Sequence, residues 1–553
     1  MTETDASAGG FKKDLGFFSL LAMSLGTVIG SGWLLLPSVV AAAAGPISLV
    51  AWVIAGLIML IVCLVYAELG AAWPAAGAVA LYPQLSHGSF TGHIGGWAAF
   101  ISYVIIPPAE AVAVTRYASA YVPEFTYTEQ IHNIDVTHLT GLGLFVAVAL
   151  LGLLALLNYV GVKYLGIFQN WVTSIKYIPI VLFIVIGGIM VFDPVNFTAY
   201  GGFAPYGASG LFLGTAATVF AYTGFRQALD FGAEAKNPGR DLPLALICTV
   251  LIAMVTYVLI AAVFIGGIDW QGLSSHGVVE GQWHTLADLS APLYDMLIAA
   301  GIGTLAFILF LDGILSPNGP NATNTGAVPR VLYTMAENKS MPKVFLKLNP
   351  KRGTPGWGLG VCFLVEIGFL LLSEGGYGAL ITAANVAFMV AYAMGPVSCG
   401  GLRKIAPHVK RPFRLPLVWL FNPLAFILAS FLLYWEGWPS TGLTLGILFI
   451  GVLIYVGYGL AGRVNMGTVR YGIWLIAYLI IMAVLSYLGS SHFGGIGVIP
   501  YGWDIGVVAV VCIGLYYWGV HQSVQFERDM GTRARREAKE RREAVEAARE
   551  ERE

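Results

Sequence analysis

The chain has 553 residues, of which 57% are hydrophobic and only 11% charged, with 68 glycines. A soluble domain carries about 25% charged residues, so this composition excludes an ordinary soluble globule and puts most of the chain in a lipid bilayer. The net charge of −1 gives no electrostatic footprint for nucleic acid, and the basic residues are segregated by loop.

A spanning helix needs about 20 apolar residues. Fourteen stretches qualify, over 15–43, 47–70, 97–121, 140–159, 165–192, 209–235, 242–267, 291–317, 356–373, 379–400, 416–435, 440–461, 471–490 and 503–521. The first is too long for a signal peptide and lacks a small-residue cleavage pattern, so it is expected to remain as a span. Cys63, Cys248, Cys362, Cys399 and Cys512 all fall inside apolar stretches without metal-ligand spacing, and read as small buried hydrophobes. Lysine and arginine set the orientation. With Lys12 and Lys13 in the cytoplasm, the inner loops hold Lys163, then Lys236 and Arg240, then Arg330 to Arg352, then Arg403 to Arg414, then Arg463 and Arg470. Both termini are thus expected inside a cell membrane. The expected organisation is a cytoplasmic N-terminus (1–14), a core of ten helices (15–400), a basic cytoplasmic loop (401–415), four further helices (416–521) and a charged tail (522–553). The tail, with opposite charges three or four apart, reads as a solvated helix. The segment 330–355, with three prolines, reads as a surface connector.

Two of the spans are broken by glycine. The first contains Gly26-Thr27-Val28-Ile29-Gly30-Ser31-Gly32, and the sixth contains Phe220-Ala221-Tyr222-Thr223-Gly224-Phe225-Arg226. Glycine costs a helix about 1 kcal/mol relative to alanine, and broken backbone within a bilayer is tolerated only where it lines a cavity. A pair of breaks, one in each half of a long membrane chain, points to a transporter site at mid-membrane. The second half of span one begins near Gly30, Ser31 and Gly32, whose N–H groups suit a carboxylate. Carbonyls near Thr27 and Val28, and near Phe220, Tyr222, Thr223 and Gly224, suit an ammonium. Together they read as a site for a zwitterion. Close helix packing through small residues is the other use of such glycines.

At these residues the chain resembles the amino acid–polyamine–organocation (APC) transporters. Gly26–Gly32 is similar to that family's first-helix motif. Phe220–Phe225 followed by Ala233-Glu234-Ala235-Lys236-Asn237-Pro238 is similar to its sixth helix and loop. Asn158–Lys163, Arg330–Pro342, Leu402–Pro407 and Arg411–Pro416 resemble further family segments. The resemblance covers about 12–420. It implies an all-α integral membrane protein with a LeuT-like five-plus-five inverted repeat, in which spans 11–14 are additions outside the core. The family usually has Glu where this chain has Arg226; Gly224-Phe225-Arg226-Gln227 looks like the aspartate–proton symporter branch.

Charges inside spans are costly and mark function by default. Arg226 follows the second break, and its guanidinium could clamp a second, side-chain carboxylate, which makes aspartate or glutamate the expected substrate. The other reading is an internal ion pair with Asp230 or Glu110. Glu110, after Pro107-Pro108, is a candidate for the substrate ammonium, for the coupling proton, or for neutralising Arg226. The resemblance implies that Lys176 takes the place of a sodium ion between spans one and five, where it would gain and lose a proton or act as a fixed strut. Glu68 and Glu234 are expected to pair with loop cations such as Lys236 and Arg240. Asp312 precedes Ser316-Pro317-Asn318-Gly319-Pro320-Asn321, which is expected to interrupt span eight. Glu366 has no reading.

The expected activity is import of amino acids, acidic ones first, by proton symport and alternating access, with the lipid bilayer as the surrounding partner and with no cofactor or metal. An amino acid exchanger of broader or neutral specificity and a membrane amino acid sensor without flux remain open. No HExxH, GxSxG or CxxC motif is present, and an enzyme is not expected.

Overall fold

The computed structural model describes residues 11–119, 121–131, 134–289, 291–373 and 376–550. The first ten residues of the expected N-terminal segment and the last three of the tail lie outside them, as do the tail side chains from 533. In chain order the helices are α1 (Phe17–Val28), α2 (Gly32–Ala44), α3 (Ser48–Ala72), α4 (Ala78–His87), α5 (Ser89–Val104) and α6 (Ile106–Ala118). Strands β1 (Thr126–Ile131) and β2 (Ile134–Leu139) follow, then α7 (Gly141–Val160), α8 (Val162–Leu182), α9 (Gly207–Tyr222) and α10 (Pro238–Gly266). Next come α11 (Pro292–Ala299), α12 (Gly303–Leu315), α13 (Asn318–Glu337), α14 (Gly356–Leu372) and α15 (Tyr377–Ile405). The last four are α16 (Val418–Trp435), α17 (Ser440–Leu460), α18 (Ile473–Leu488) and α19 (Trp503–Glu550).

Among the described residues, 11 helical segments are long and apolar enough to cross a membrane, and Phe17–Val28 and Gly356–Leu372 are shorter apolar helices. The chain is a multi-pass helical membrane protein. Two expectations need correction. The connection before α7 is an antiparallel hairpin, with Thr126 opposite Leu139 and Ile131 opposite Ile134, so the chain is not purely helical. The run Ser316–Asn321 does interrupt the helix, as expected: α12 ends at Leu315, Ser316 and Pro317 form a turn, and α13 begins at Asn318. Ser316 N donates to Asp312 O at 2.7 Å and Asn321 N to Pro317 O at 3.2 Å, so the break is a two-residue turn and α13 follows α12 without a loop; it is the connector reading of Arg330 that needs correction. Pro317 and Pro320 stand at the start of α13, where a missing N–H costs nothing. The Asn318 side chain donates to Ile314 O at 2.7 Å and meets one carbonyl of the bend. Span eight therefore reaches Glu337, and Arg330 sits on a helix rather than in a connector.

Both breaks are present. Between α1 and α2, residues 29–31 leave the helix, and Ile29 takes φ −89°, ψ 86°. Between α9 and the short 3₁₀ segment Phe225–Asp230, Thr223 is extended and Gly224 has φ +111°. An added Cβ at Gly224 would stand 2.9 Å from Thr27 Cγ2 and 3.0 Å from Thr27 O. Only glycine accepts both that dihedral and that approach. The two breaks thus lie against each other. Around them α1 packs on α8 and α10, α9 on α2 and α3, and α13 on α1, α5 and α6.

One end of the molecule is closed by ion pairs. Leu15 N donates to Glu234 O at 3.0 Å and Lys236 N to Leu15 O at 2.8 Å, tying the start of α1 to the end of the second broken span. Arg330 clasps Glu234 with two parallel bonds, Nε to Oε2 at 2.8 Å and Nη2 to Oε1 at 2.7 Å, with its guanidinium 4.3 Å from the Phe231 ring centre. Glu68 is held by Arg403, by Arg411 at 3.2 Å and by Leu415 N at 2.8 Å. Both glutamates therefore pair with arginines of distant helices and of the basic loop, not with Lys236 and Arg240. A forked guanidinium matches a buried carboxylate better than a lysine does.

Candidate substrate site at the two helix breaks

A narrow cavity of about 10 Å³ lies where the breaks meet. Thr27, Val28, Gly30 and Gly32 line it from the first broken span, and Phe220, Thr223, Gly224 and Gln227 from the second. Ile106 and Glu110 of α6, Pro320 and Asn324 of α13 and Phe388 of α15 complete the wall. That is about the room one water needs, so the walls of the site are drawn together in this structure. Larger clefts, such as one beside Tyr159 and Trp357, lie on the outer surface and hold no comparable set of converging buried polar groups.

The ends of the broken first span are met by the chain itself. Glu110 Oε2 accepts from Ser31 N at 3.2 Å, at the start of α2 where the helix dipole favours an anion. An added Cβ on Gly30 would lie 2.6 Å from both Glu110 Oε1 and Pro320 Cγ, so glycine is what lets the carboxylate approach. On the other side Lys176 of α8 donates from Nζ to Gly26 O at 2.8 Å and also to Ile29 O. Tyr257 OH donates to Val28 O at 2.8 Å and lies 3.0 Å from Ala221 O. An ammonium on the carbonyls and a carboxylate on the N–H is the arrangement expected of a bound zwitterion, supplied here by two side chains. Lys176 also feels Asp312 and Glu110 electrostatically. Asp312 is buried beside Trp33 and Ser316, whose side chains join α2 to the end of α12 by a 3.2 Å bond.

Of the residues singled out from sequence, Thr27, Gly30, Gly32, Phe220, Thr223, Gly224 and Glu110 share the cavity wall. Ser31 and Lys176 stand behind it, at the break. Tyr222 points away, its hydroxyl donating to Trp52 O at 2.8 Å. Arg226 is fully buried but does not line the cavity. Its Nε donates to Tyr103 OH at 3.1 Å and its Nη1 to Tyr66 OH at 3.3 Å. The rings of Tyr66, Tyr103 and Tyr392 surround the guanidinium at 5.3, 5.4 and 4.6 Å. The segment Phe225–Asp230 resumes helical winding directly after Gly224, which turns Arg226 away from the break and Gln227 toward it. Arg226 makes no direct ion pair with Asp230 or Glu110 among the described residues. Arg226 Nη2 and Asp230 Oδ2 have no hydrogen-bond partner.

Gln227, Asn324 and Phe388 were not marked by sequence reasoning. Asn324 had a signal: it lies in Asn318-Gly-Pro-Asn-Ala-Thr-Asn-Thr325, a polar run in an apolar chain. Glu366 is fully buried with both oxygens unpartnered, and nothing in the structure explains it.

Comparison with known proteins gives one consistent result. A sequence profile described as amino acid permease matches residues 15–459. The glutamate/serine transporter AimA of Bacillus subtilis (strain 168) is 37% identical over 520 residues, covering 93% of this chain and 94% of that protein. The aspartate-proton symporter of the same organism is 34% identical over 519 residues, covering 92% and 96%. Its branched-chain amino acid permease BcaP is 26% identical over 468 residues, covering 81% and 93%.

Proposed function

The chain belongs to the amino acid permease family, and we propose that it imports acidic and small polar amino acids by proton symport and alternating access. It is a transporter and not an enzyme. The observation that carries the coupling is the position of Glu110. Its carboxylate holds the Ser31 N–H group that a substrate carboxylate needs. Two carboxylates cannot share one cradle without repulsion. A proton on Glu110 removes the charge and lets the substrate take its place, so uptake and proton entry are linked through one site. Lys176 supplies the complementary charge on the carbonyl side and ties α8 to α1. The names of the two relatives above 30% identity, a glutamate/serine transporter and an aspartate-proton symporter, support a polar substrate.

In this reading fourteen spans place both termini in the cytoplasm, and the Glu234–Arg330 and Glu68–Arg403 pairs form the inner gate. The spans broken at Gly30 and Gly224 rock against the rest as the gates alternate. The test is uptake into proteoliposomes with a pH gradient and no sodium, using twenty amino acids as competitors of labelled aspartate. Uptake that requires sodium, or that ignores the pH gradient, overturns the symport reading.

A second reading concerns how an acidic side chain is held. Arg226 has one unpartnered N–H group, Nη2. If the guanidinium turns out of its tyrosine cage, it meets an ionised side-chain carboxylate directly.

A further inference from the structure

The two amides in the cavity wall have a fixed orientation. Asn324 Nδ2 faces Pro320 O at 2.8 Å. A carbonyl only accepts, so the amino group of Asn324 must point at it and Asn324 Oδ1 must point the other way. Gln227 meets that oxygen with Nε2 at 3.0 Å, since two facing oxygens would repel. The remaining atom is Gln227 Oε1. It belongs to a fully buried residue of the cavity wall and has no hydrogen-bond partner. A buried acceptor left unmet is costly, and a ligand that supplies its donor recovers that cost.

We propose that Gln227 reads the substrate side chain and demands a hydrogen-bond donor from it. This rests on the amino acid transport reading above. Hydroxyl and amide side chains satisfy it as they are. An ionised side-chain carboxylate does not, because it has only acceptors. It would also share the wall with Glu110, and no lysine or arginine lines the cavity. A protonated carboxyl brings one O–H and no charge. Acidic amino acids therefore cross with their side chain protonated, taking the proton from the outer solution and releasing it in the cytoplasm.

The other charged groups near Gln227 act on all neutral side chains alike. Glu110 faces it from α6, Arg226 and Asp230 lie on its own segment, and Lys176 with Asp312 lies behind α1. Their titration cancels in a ratio of two side chains that are neutral in the site; an ionised aspartate would feel Glu110 as serine does not, so the ratio is also read in Glu110→Gln by counterflow. The experiment compares serine with aspartate in proteoliposomes between pH 5 and 7.5. An aspartate side chain has an ordinary pKa near 3.9, so its protonated fraction falls about tenfold per pH unit in this range. The ratio of KM for aspartate to KM for serine is expected to rise about tenfold per unit. Gln227→Met, which keeps length and apolar bulk, is expected to remove the preference for serine over alanine. A ratio that stays flat with pH overturns the proposal in favour of direct capture by Arg226. So does uptake confined to side chains without a donor. Transport of no amino acid at all would instead overturn the family-level reading on which it rests.

Discussion

Glu110 and Ser31 are joined across the break in the first span: a carboxylate from α6 accepts the leading N–H of α2 at 3.2 Å. That bond occupies the place where an amino acid's own carboxylate is expected. In the proposed symport it makes proton binding and substrate binding a single competition rather than two events to be connected at a distance.

Glu110→Gln is therefore expected to uncouple transport of a neutral substrate such as serine, which brings no side-chain proton of its own. The amide is neutral at every pH and keeps the size of the side chain. Accumulation against a gradient should fall at least tenfold, while counterflow of substrate across the same membrane persists. Parallel accumulation and counterflow assays check this. Retained pH-driven accumulation places the coupling proton elsewhere.

Lys176→Met tests the carbonyl side. Its ammonium is hydrogen-bonded to Gly26 O and Ile29 O. Stranding two buried acceptors costs about 1–3 kcal/mol each. The variant should unfold at lower temperature in detergent and lose uptake. An unchanged melting temperature with lost uptake would mean that the lysine serves coupling alone.

Arg226→Ala is expected to lower aspartate and serine uptake together, because the guanidinium sits behind the cavity in contact with Tyr66 and Tyr103. It also leaves Asp230 without its buried counter-charge. Initial rates for both substrates decide the matter. A loss confined to aspartate would put the guanidinium on the substrate.

Glu234→Ala removes the partner of a bidentate, buried arginine. Breaking such a pair typically costs about 3–5 kcal/mol. In the variant the end closed by this pair, cytoplasmic in the proposed orientation, should open more often, so that a cysteine introduced at Thr27 reacts faster with an impermeant thiol reagent added from that side. Glu234→Ala with Arg330→Met should recover part of the lost stability.

Gly30→Ala adds a methyl group 2.6 Å from Glu110 Oε1. Uptake should fall more than tenfold with the protein still folded, as read by size-exclusion profile and substrate flux.

The sequence made both breaks legible, since clusters of Gly26, Gly30 and Gly32, and Gly224 before Phe225, have no use in a plain span. Hydropathy likewise marked most of the membrane helices. The direction in which Arg226 points was not legible. One residue of helical winding is about 100°, and where winding resumes after Gly224 decides whether Arg226 or Gln227 enters the cavity. The partners of Glu68 and Glu234 were missed for another reason. Lys236 and Arg240, near Glu234 in sequence, were weighed first, whereas Arg403 of the basic loop reaches Glu68 from 335 residues away and Arg330 reaches Glu234 from 96. Pro317 and Pro320 marked the turn between α12 and α13 correctly, but the length of α13 beyond them, which puts Arg330 on a helix, was not read.

The lysine and glutamate at the first break have one more consequence. A transporter whose interrupted helix relies on its cargo to satisfy stray backbone groups can close only when loaded, and so must always trade one molecule for another. Here Lys176 and Glu110 perform that task from within the chain. On the symport reading proposed above, that lets the protein shut and reorient on the return stroke with nothing aboard, which one-way uptake requires and obligatory barter does not.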